Sequence, residues 1–266
     1  MKYKLNLLLY PFGQAFFLVL ACYFVKTNIL YAGISAGVAA FFMSFSLHIS
    51  YHHHVHHKSQ TQWFDLSLDY VASMLLGLPF HFYKLQHLNH HKYNNEIGDM
   101  TSTYEEKDKE VKAKSLLPYI LLWFLNTGDF NKYKTQATTD GYFSAQDDKK
   151  MKREGLLNLL VISGLFYLDW RYAILFGLMF YLGWSMIALH NYSQHLPTQK
   201  HQIAFSYYGK WYNWLFMNNG LHYEHHQYPQ LPYWDLKTDK ATERTNKWSH
   251  IWDGIRYFFT VAKAKK

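Results

Sequence analysis

Two long apolar runs lie almost back to back at the start of the chain. The first sits in MKYKLNLLLYPFGQAFFLVLACYFVK, the second runs from Ile29 to Leu47, and only Lys26, Thr27 and Asn28 separate them. Roughly twenty apolar residues cross the hydrocarbon layer of a bilayer, so this pairing predicts a transmembrane hairpin. Taken alone, the first run also reads as a secretory or lipoprotein leader ending at VLAC, but the second run so close behind it favours the hairpin. A second pair follows, GLLNLLVISGLFYLDW from Gly155 and RYAILFGLMFYLGWSMIAL from Arg171, joined at Asp169–Arg171. Its first member is short and is expected to tilt little or to enter only partway. The expected fold is an all-α integral membrane protein of one domain, residues 1–266. Its two hairpins give about four spans, near 5–25, 29–48, 155–170 and 171–190, with a polar cap from 49–154 and 191–266.

Composition agrees with that division. Charged residues make up 17% of the chain, against about a quarter in a soluble domain, yet mean hydropathy is −0.26, so a large part must be polar. The net charge of +8 comes mostly from lysines spread over the polar segments. A nucleic-acid reader would cluster its basic residues with arginine prominent, and no such partner is expected. Two hairpins return both ends to one side, leaving Lys26 and Arg171 across the membrane and the other 25 of 27 basic residues with the cap. That asymmetry predicts a multi-pass protein whose cap is cytoplasmic. Residues 63–86 and 115–125, apolar but interrupted by Asp or Pro, read as interfacial or re-entrant helices, and EEKDKEVKAK, 105–114, as the solvated start of a helix. The 32 Tyr and Trp residues read mainly as interfacial belts, with GLPFHFY and YLGWSM equally suited to core packing or to lining an acyl tunnel.

Cys22 is the only cysteine and lies in an apolar run, which excludes an intramolecular disulfide and a thiolate cage. A metal site must then use nitrogen and oxygen, and of the chain's 17 histidines 14 fall in four groups: His48 with the histidines of 52–57; His87, His90 and His91; His190 and His195; and His222, His225 and His226. All four fall on the cap side. Histidines three and four apart share a helical face, where two rings can reach one metal or two adjacent ones. The spacing H-x-x-H-H, in HLNHH and again in HYEHH, offers two rings to one side and one to the other. Two such triplets plus a pair suggest two metals, each in neutral imidazoles that suit Fe, Zn, Cu or Ni. His81, His201 and His250 stand outside these groups and read as structural.

HLNHHKYNN and LHYEHHQYPQLP, with a histidine-rich box emerging from the second span, resemble the membrane fatty acid desaturases and their di-iron hydroxylase relatives. The likeness extends from about His48 to Leu236. It implies two irons ligated by the histidine boxes, dioxygen activated between them, and an acyl chain in a buried tunnel. By resemblance the second box is His87, His90 and His91 and the third is His222, His225 and His226. NYSQH matches the family's N-x-x-x-H element, making His195 a ligand and Asn191 a water-mediated contact to one iron. For the first box the family spacing permits several pairs, of which His52 with either His56 or His57 fits best; His53 and His54 are second-layer groups or solvated.

The resemblance implies an oxygen-dependent desaturase that places a double bond in an acyl chain of a membrane lipid. The same boxes also serve a hydroxylase or ketolase acting on a carotenoid, alkane or sphingolipid. A non-catalytic metal-binding membrane protein or transporter fits less well, since transporters place their ligands midway through spans. No dinucleotide glycine fingerprint or HPGG stretch is present, so electrons are expected from a separate protein of ferredoxin, cytochrome b5 or rubredoxin type.

Overall fold

The computed structural model describes residues 7–59, 61–107, 109–126, 128–196, 203–238 and 255–256. His201 and His250 lie outside the described residues. The chain divides into two compact units, residues 1–85 with 134–186 and residues 86–133 with 187–266.

In the first unit, α1 (Leu9–Phe24) and α2 (Ile29–Phe45) form the first hairpin. Asn28 starts α2 by accepting the Tyr31 N–H at 3.1 Å, the ordinary work of an N-cap asparagine. Ala21, Val25, Ala32 and Ala36 pack with Leu175 in a core of mostly small residues, which lets helix backbones approach closely. The outward face of α1 is apolar as well: Leu9, Phe12, Phe16, Val19 and Tyr23, three and four residues apart, are all exposed. An exposed apolar stripe of this size marks a surface that meets lipid or another protein.

Helix α2 continues through a π turn, Ser46–Tyr51, into α3 (His52–His56). The continuous helix Ile29–His56 and helix α9 (Trp170–Gln194) are the two, among the described residues, that are long and apolar enough to cross a membrane. Helix α8 (Ala145–Leu168) starts earlier than its apolar run, at a capping box in which the Ser144 hydroxyl and the Asp147 carboxylate satisfy each other's backbone N–H. Between α8 and α9, Asp169 takes two bonds from the Arg171 guanidinium, at 2.7 and 2.9 Å, and pairs with Lys26 at 3.2 Å. The interfacial stretch 63–86 is not one helix. Helix α4 (Gln62–Leu76) stops at Gly77, whose φ of +67° suits glycine, and α5 (Phe80–Tyr93) begins after Pro79.

The second unit holds the C-terminal parts of α5 and α9 and a run of short elements. The reading of 105–114 as a helix start is corrected here. Strands β1 (Tyr104–Lys107) and β2 (Glu110–Ala113) form an antiparallel hairpin with Lys107 opposite Glu110, so the fold is not wholly α. Ahead of β2, Lys109 takes φ +64°, and the short exposed strand leaves its charges in solvent. Helix α6 (Leu116–Leu121), a 3-10 turn (Trp123–Leu125) and α7 (Phe130–Thr139) follow. After α9 come α10 (Lys210–Leu215), α11 (His222–Gln227) and a 3-10 turn, Tyr233–Asp235. One core cluster of this unit is Leu116, Tyr119, Ala188, Tyr192, Leu196 and Phe205, and a second is Leu221, Tyr233 and Leu236.

Candidate metal centre

Four buried imidazoles of the second unit converge. His90 comes from α5, His195 from the residue after α9, and His222 and His226 from one face of α11. One ligand atom of each lies within 4.8 Å of the corresponding atom of the others. His222 Nε2 is 2.9 Å from His195 Nε2 and 3.2 Å from His226 Nε2.

Three of the four rings are held by their other nitrogen. His90 Nδ1 donates to Asp99 Oδ2 at 2.7 Å, His195 Nδ1 to the Ile203 carbonyl at 2.7 Å, and His226 Nδ1 to the Asn94 side-chain oxygen at 2.9 Å. An outer acceptor of this kind fixes the tautomer and leaves Nε2 with its lone pair facing inward, the arrangement a metal ligand needs. His90 Nε2 is buried and has no hydrogen-bond partner. An orphaned imidazole nitrogen inside a nest of others is costly unless a cation meets it, so the donor set fits an ion that prefers nitrogen, such as Fe or Zn. Electrostatics agree: burial and the surrounding His91, His222, His90 and His195 hold His226 well below the ordinary histidine range, in its neutral, ligating form. Burial would raise Asp99, but His90 and the Thr101 N–H outweigh it and hold the carboxyl at about 2, fully ionised at neutral pH.

A second group lies in the same unit. His87, His91 and His225 bring ligand atoms within 4.8 Å of one another, with His91 Nε2 and His225 Nε2 2.9 Å apart. The H-x-x-H-H spacing explains the division. In α5, residues four apart share a face, so His87 pairs with His91 while His90 turns to the other group; in α11, His222 pairs with His226 while His225 turns to His91. His91 and His226, with ring centroids 4.5 Å apart, connect the two groups.

Short α11 is held from its back. Its Glu224, the acidic residue inside HYEHH, is buried and accepts from the Ser206 and Tyr208 hydroxyls, the latter at 2.8 Å. The loop after HLNHHKY supplies most of the outer acceptors. Asn94 and Asn95 take positive φ, 47° and 67°, a conformation asparagine tolerates better than most residues. The chain thereby turns back so that Asn94 meets His226, Asp99 meets His90, and the Thr103 hydroxyl donates to the His195 carbonyl at 2.8 Å. Nothing in residue spacing marks Asp99 or Thr103; the adjacent asparagines at the end of the box are the available signal.

Asn191 donates its amide to the Tyr119 hydroxyl at 2.7 Å and to the Thr101 carbonyl at 3.1 Å, which fixes its orientation one helical turn before His195. In the first unit, His52 and His56 share a face of α3 with ring centroids 5.2 Å apart. His57 lies past the helix end and stacks on His53 at 4.5 Å. His54 faces elsewhere, 2.8 Å from Asp69, and His81 is buried against Glu154 at 2.6 Å. Asp69, His81 and Glu154 lie close enough together to hold an ion, but Lys58 and Lys150 already reach Asp69 at 3.3 and 3.5 Å. This group therefore reads as a buried charge network.

Residues 27–246 match the fatty acid desaturase family, and the chain belongs to that family. A Caenorhabditis elegans protein described as a sphingolipid delta(4)-desaturase/C4-monooxygenase is 29% identical over 182 residues, 64% of this chain and 46% of that protein. The Bos taurus sphingolipid delta(4)-desaturase/C4-monooxygenase DES2 is 28% identical over 185 residues, covering 65% and 52%. The Drosophila melanogaster sphingolipid delta(4)-desaturase DES1 is 27% identical over 177 residues, covering 62% and 50%. The chain thus spans about half the length of these relatives.

Proposed function

We propose that this chain is an oxygen-dependent, non-haem di-iron enzyme that desaturates the hydrocarbon chain of a membrane lipid. The observation that carries the reading is the inward-facing nitrogen set of His90, His195, His222 and His226, with its outer acceptors in place. His87, His91 and His225 would ligate the second ion. His52 joins the ligand set on spacing and family resemblance, with His56 as its partner rather than His57 because those two share a face of α3.

When bound, the iron pair would supply the oxidising power needed to take hydrogen from an unactivated methylene. The chain's part is to hold the ligands neutral, aim their Nε2 lone pairs and keep water away. Asp99 stays ionised to orient His90, Asn94 and the Ile203 carbonyl orient His226 and His195, and Asn191, its amide held by Tyr119 and Thr101, would offer its side-chain oxygen to a water beside the centre. Electrons would come from a separate carrier of ferredoxin, cytochrome b5 or rubredoxin type. The apolar exposed face of α1 and the two long apolar helices support a multi-pass protein of four spans, and the lysine asymmetry supports a cytoplasmic site.

The named activities of two relatives pair desaturation with C4 oxygenation of a sphingolipid, which makes hydroxylation the second reading and a sphingolipid the first substrate class to examine. Lipid extracts of cells with and without the protein, analysed for double-bond position and hydroxylation, test both. A new unsaturated or hydroxylated lipid that disappears with His222→Ala supports the reading. Identical lipid profiles with the iron-loaded protein present would contradict it.

A further inference from the structure

The short helix α10, KWYNWL, has two unlike faces. Asn213 turns inward, donating to the Tyr207 carbonyl at 2.7 Å and accepting from the Gly220 N–H at 3.0 Å. Tyr212 turns with it, its hydroxyl 3.3 Å from His190 Nε2. Six residues do not hold a helix on their own, so these inward contacts fix the turn and, with it, what the other face presents. That face carries Trp211, 83% exposed, Trp214, 75% exposed, and Leu215. The two indoles meet edge to face with centroids 6.3 Å apart.

Beside them opens a cleft of about 600 Å³, bordered by Lys210, Trp214, Asn218 and Lys237 among others. Most of its neutral polar groups are committed. Asn218 donates to the Tyr233 carbonyl at 3.2 Å and Tyr208 to Glu224 at 2.8 Å. Lys210 and Lys237 are exposed, and neither has a carboxylate partner among the described residues. Asp235 borders an adjoining hollow of about 440 Å³ that shares Lys237.

We propose that this face of α10 is a membrane-surface site for an anionic phospholipid, with the indoles at headgroup level and the lipid phosphate received by Lys210 and Lys237. Indole, with an apolar body and one N–H, favours the boundary between lipid and water. A pair of ammonium groups beside it complements anionic headgroups. The site lies outside the histidine groups, and its proposal rests on the chain being a membrane protein but not on its chemistry.

The test uses the full chain with Cys22→Ser and Trp211→Cys, an environment-sensitive dye on the new thiol, and nanodiscs of phosphatidylcholine alone or with phosphatidylserine. Trp214→Cys serves as a second reporter should the first variant fold poorly. The dye emission is expected to shift to the blue with phosphatidylserine relative to phosphatidylcholine and to detergent. That shift should be lost in K210Q/K237Q and unaffected by inorganic phosphate. Mass spectrometry of the intact protein should find phosphatidylserine retained by the parent chain and lost from K210Q/K237Q. A dye equally shielded in detergent and in both nanodiscs would show a protein occupant and overturn the proposal. A water-exposed dye in both nanodiscs, an unchanged K210Q/K237Q, or displacement by inorganic phosphate would overturn it too. Failure of the chain to enter nanodiscs at all would instead overturn the membrane reading beneath it.

Discussion

Asp99→Asn tests whether the outer acceptors govern metal binding. The parent carboxylate is buried and accepts four bonds: from His90 Nδ1 at 2.7 Å, Asn95 N at 2.9 Å, Thr101 N at 2.7 Å and the Thr101 hydroxyl at 2.9 Å. The amide is nearly the same size but uncharged, and its NH2 end must face at least one of these donors. A hydrogen bond to a charged group contributes about 1.5–3 kcal/mol, and loss of an outer partner of a ligating histidine typically weakens metal binding about 10–100-fold. We expect a loss of that size at the His90 centre, with His90 no longer held in one tautomer. Anaerobic titration with Fe(II) or Zn(II), read by the rise in melting temperature that each metal concentration produces, separates this from simple destabilisation of the loop. A variant with a lower metal-free melting temperature but an unchanged metal-induced rise would show that Asp99 supports the loop and not the metal.

Asn191→Ala removes the bonds to Tyr119 and Thr101 and is expected to lower stability by about 1–3 kcal/mol while keeping iron and losing most turnover; full activity per folded molecule removes Asn191 from the mechanism. Asp69→Asn withdraws a buried charge from His54, Lys58 and Lys150 and is expected to cost about 1.5–3 kcal/mol in thermal unfolding, a change below about 1 kcal/mol being inconsistent with a charge network. Burial would raise the Asp147 carboxyl, but bonds from Lys84 and Ser144 hold it at about 2. Its folded value lies below its unfolded one, so its stabilisation is present above about pH 4 and fades as pH falls towards 2. Melting curves of Asp147→Asn in detergent should therefore lose part of the parent's acid sensitivity across that window, and parallel curves would contradict the assignment.

The division of each H-x-x-H-H box between two groups follows from helical spacing, and both boxes do sit on helices, so that part of the site could be read from residue intervals. The loop that pins the rings could not. Asp99 meets His90 because Asn94 and Asn95 reverse the chain, and a left-handed asparagine pair has no periodic signature. The hairpin at 104–113 was missed because alternating charges mimic a solvated helix face, while the pairing of Tyr104 with Ala113 is a contact across nine residues. The helix starts at Asn28 and Ser144 and the stop at Gly77 are local chemistry and coincide with the expected residue types. His54 and His81 show the reverse limit. Their partners Asp69 and Glu154 lie 15 and 73 residues away, too far for spacing to suggest them.

The proposed centre is a pair of irons held almost entirely by imidazole. Iron X-ray absorption of the purified full chain, combined with elemental analysis, addresses it most directly. Close to two irons per chain are expected, with a first shell of nitrogen and oxygen and the outer-ring scattering of several imidazoles, both falling sharply in His90→Ala and His225→Ala. One iron or none in a folded, iron-supplied protein, a sulfur shell, or a spectrum indifferent to both substitutions would contradict it.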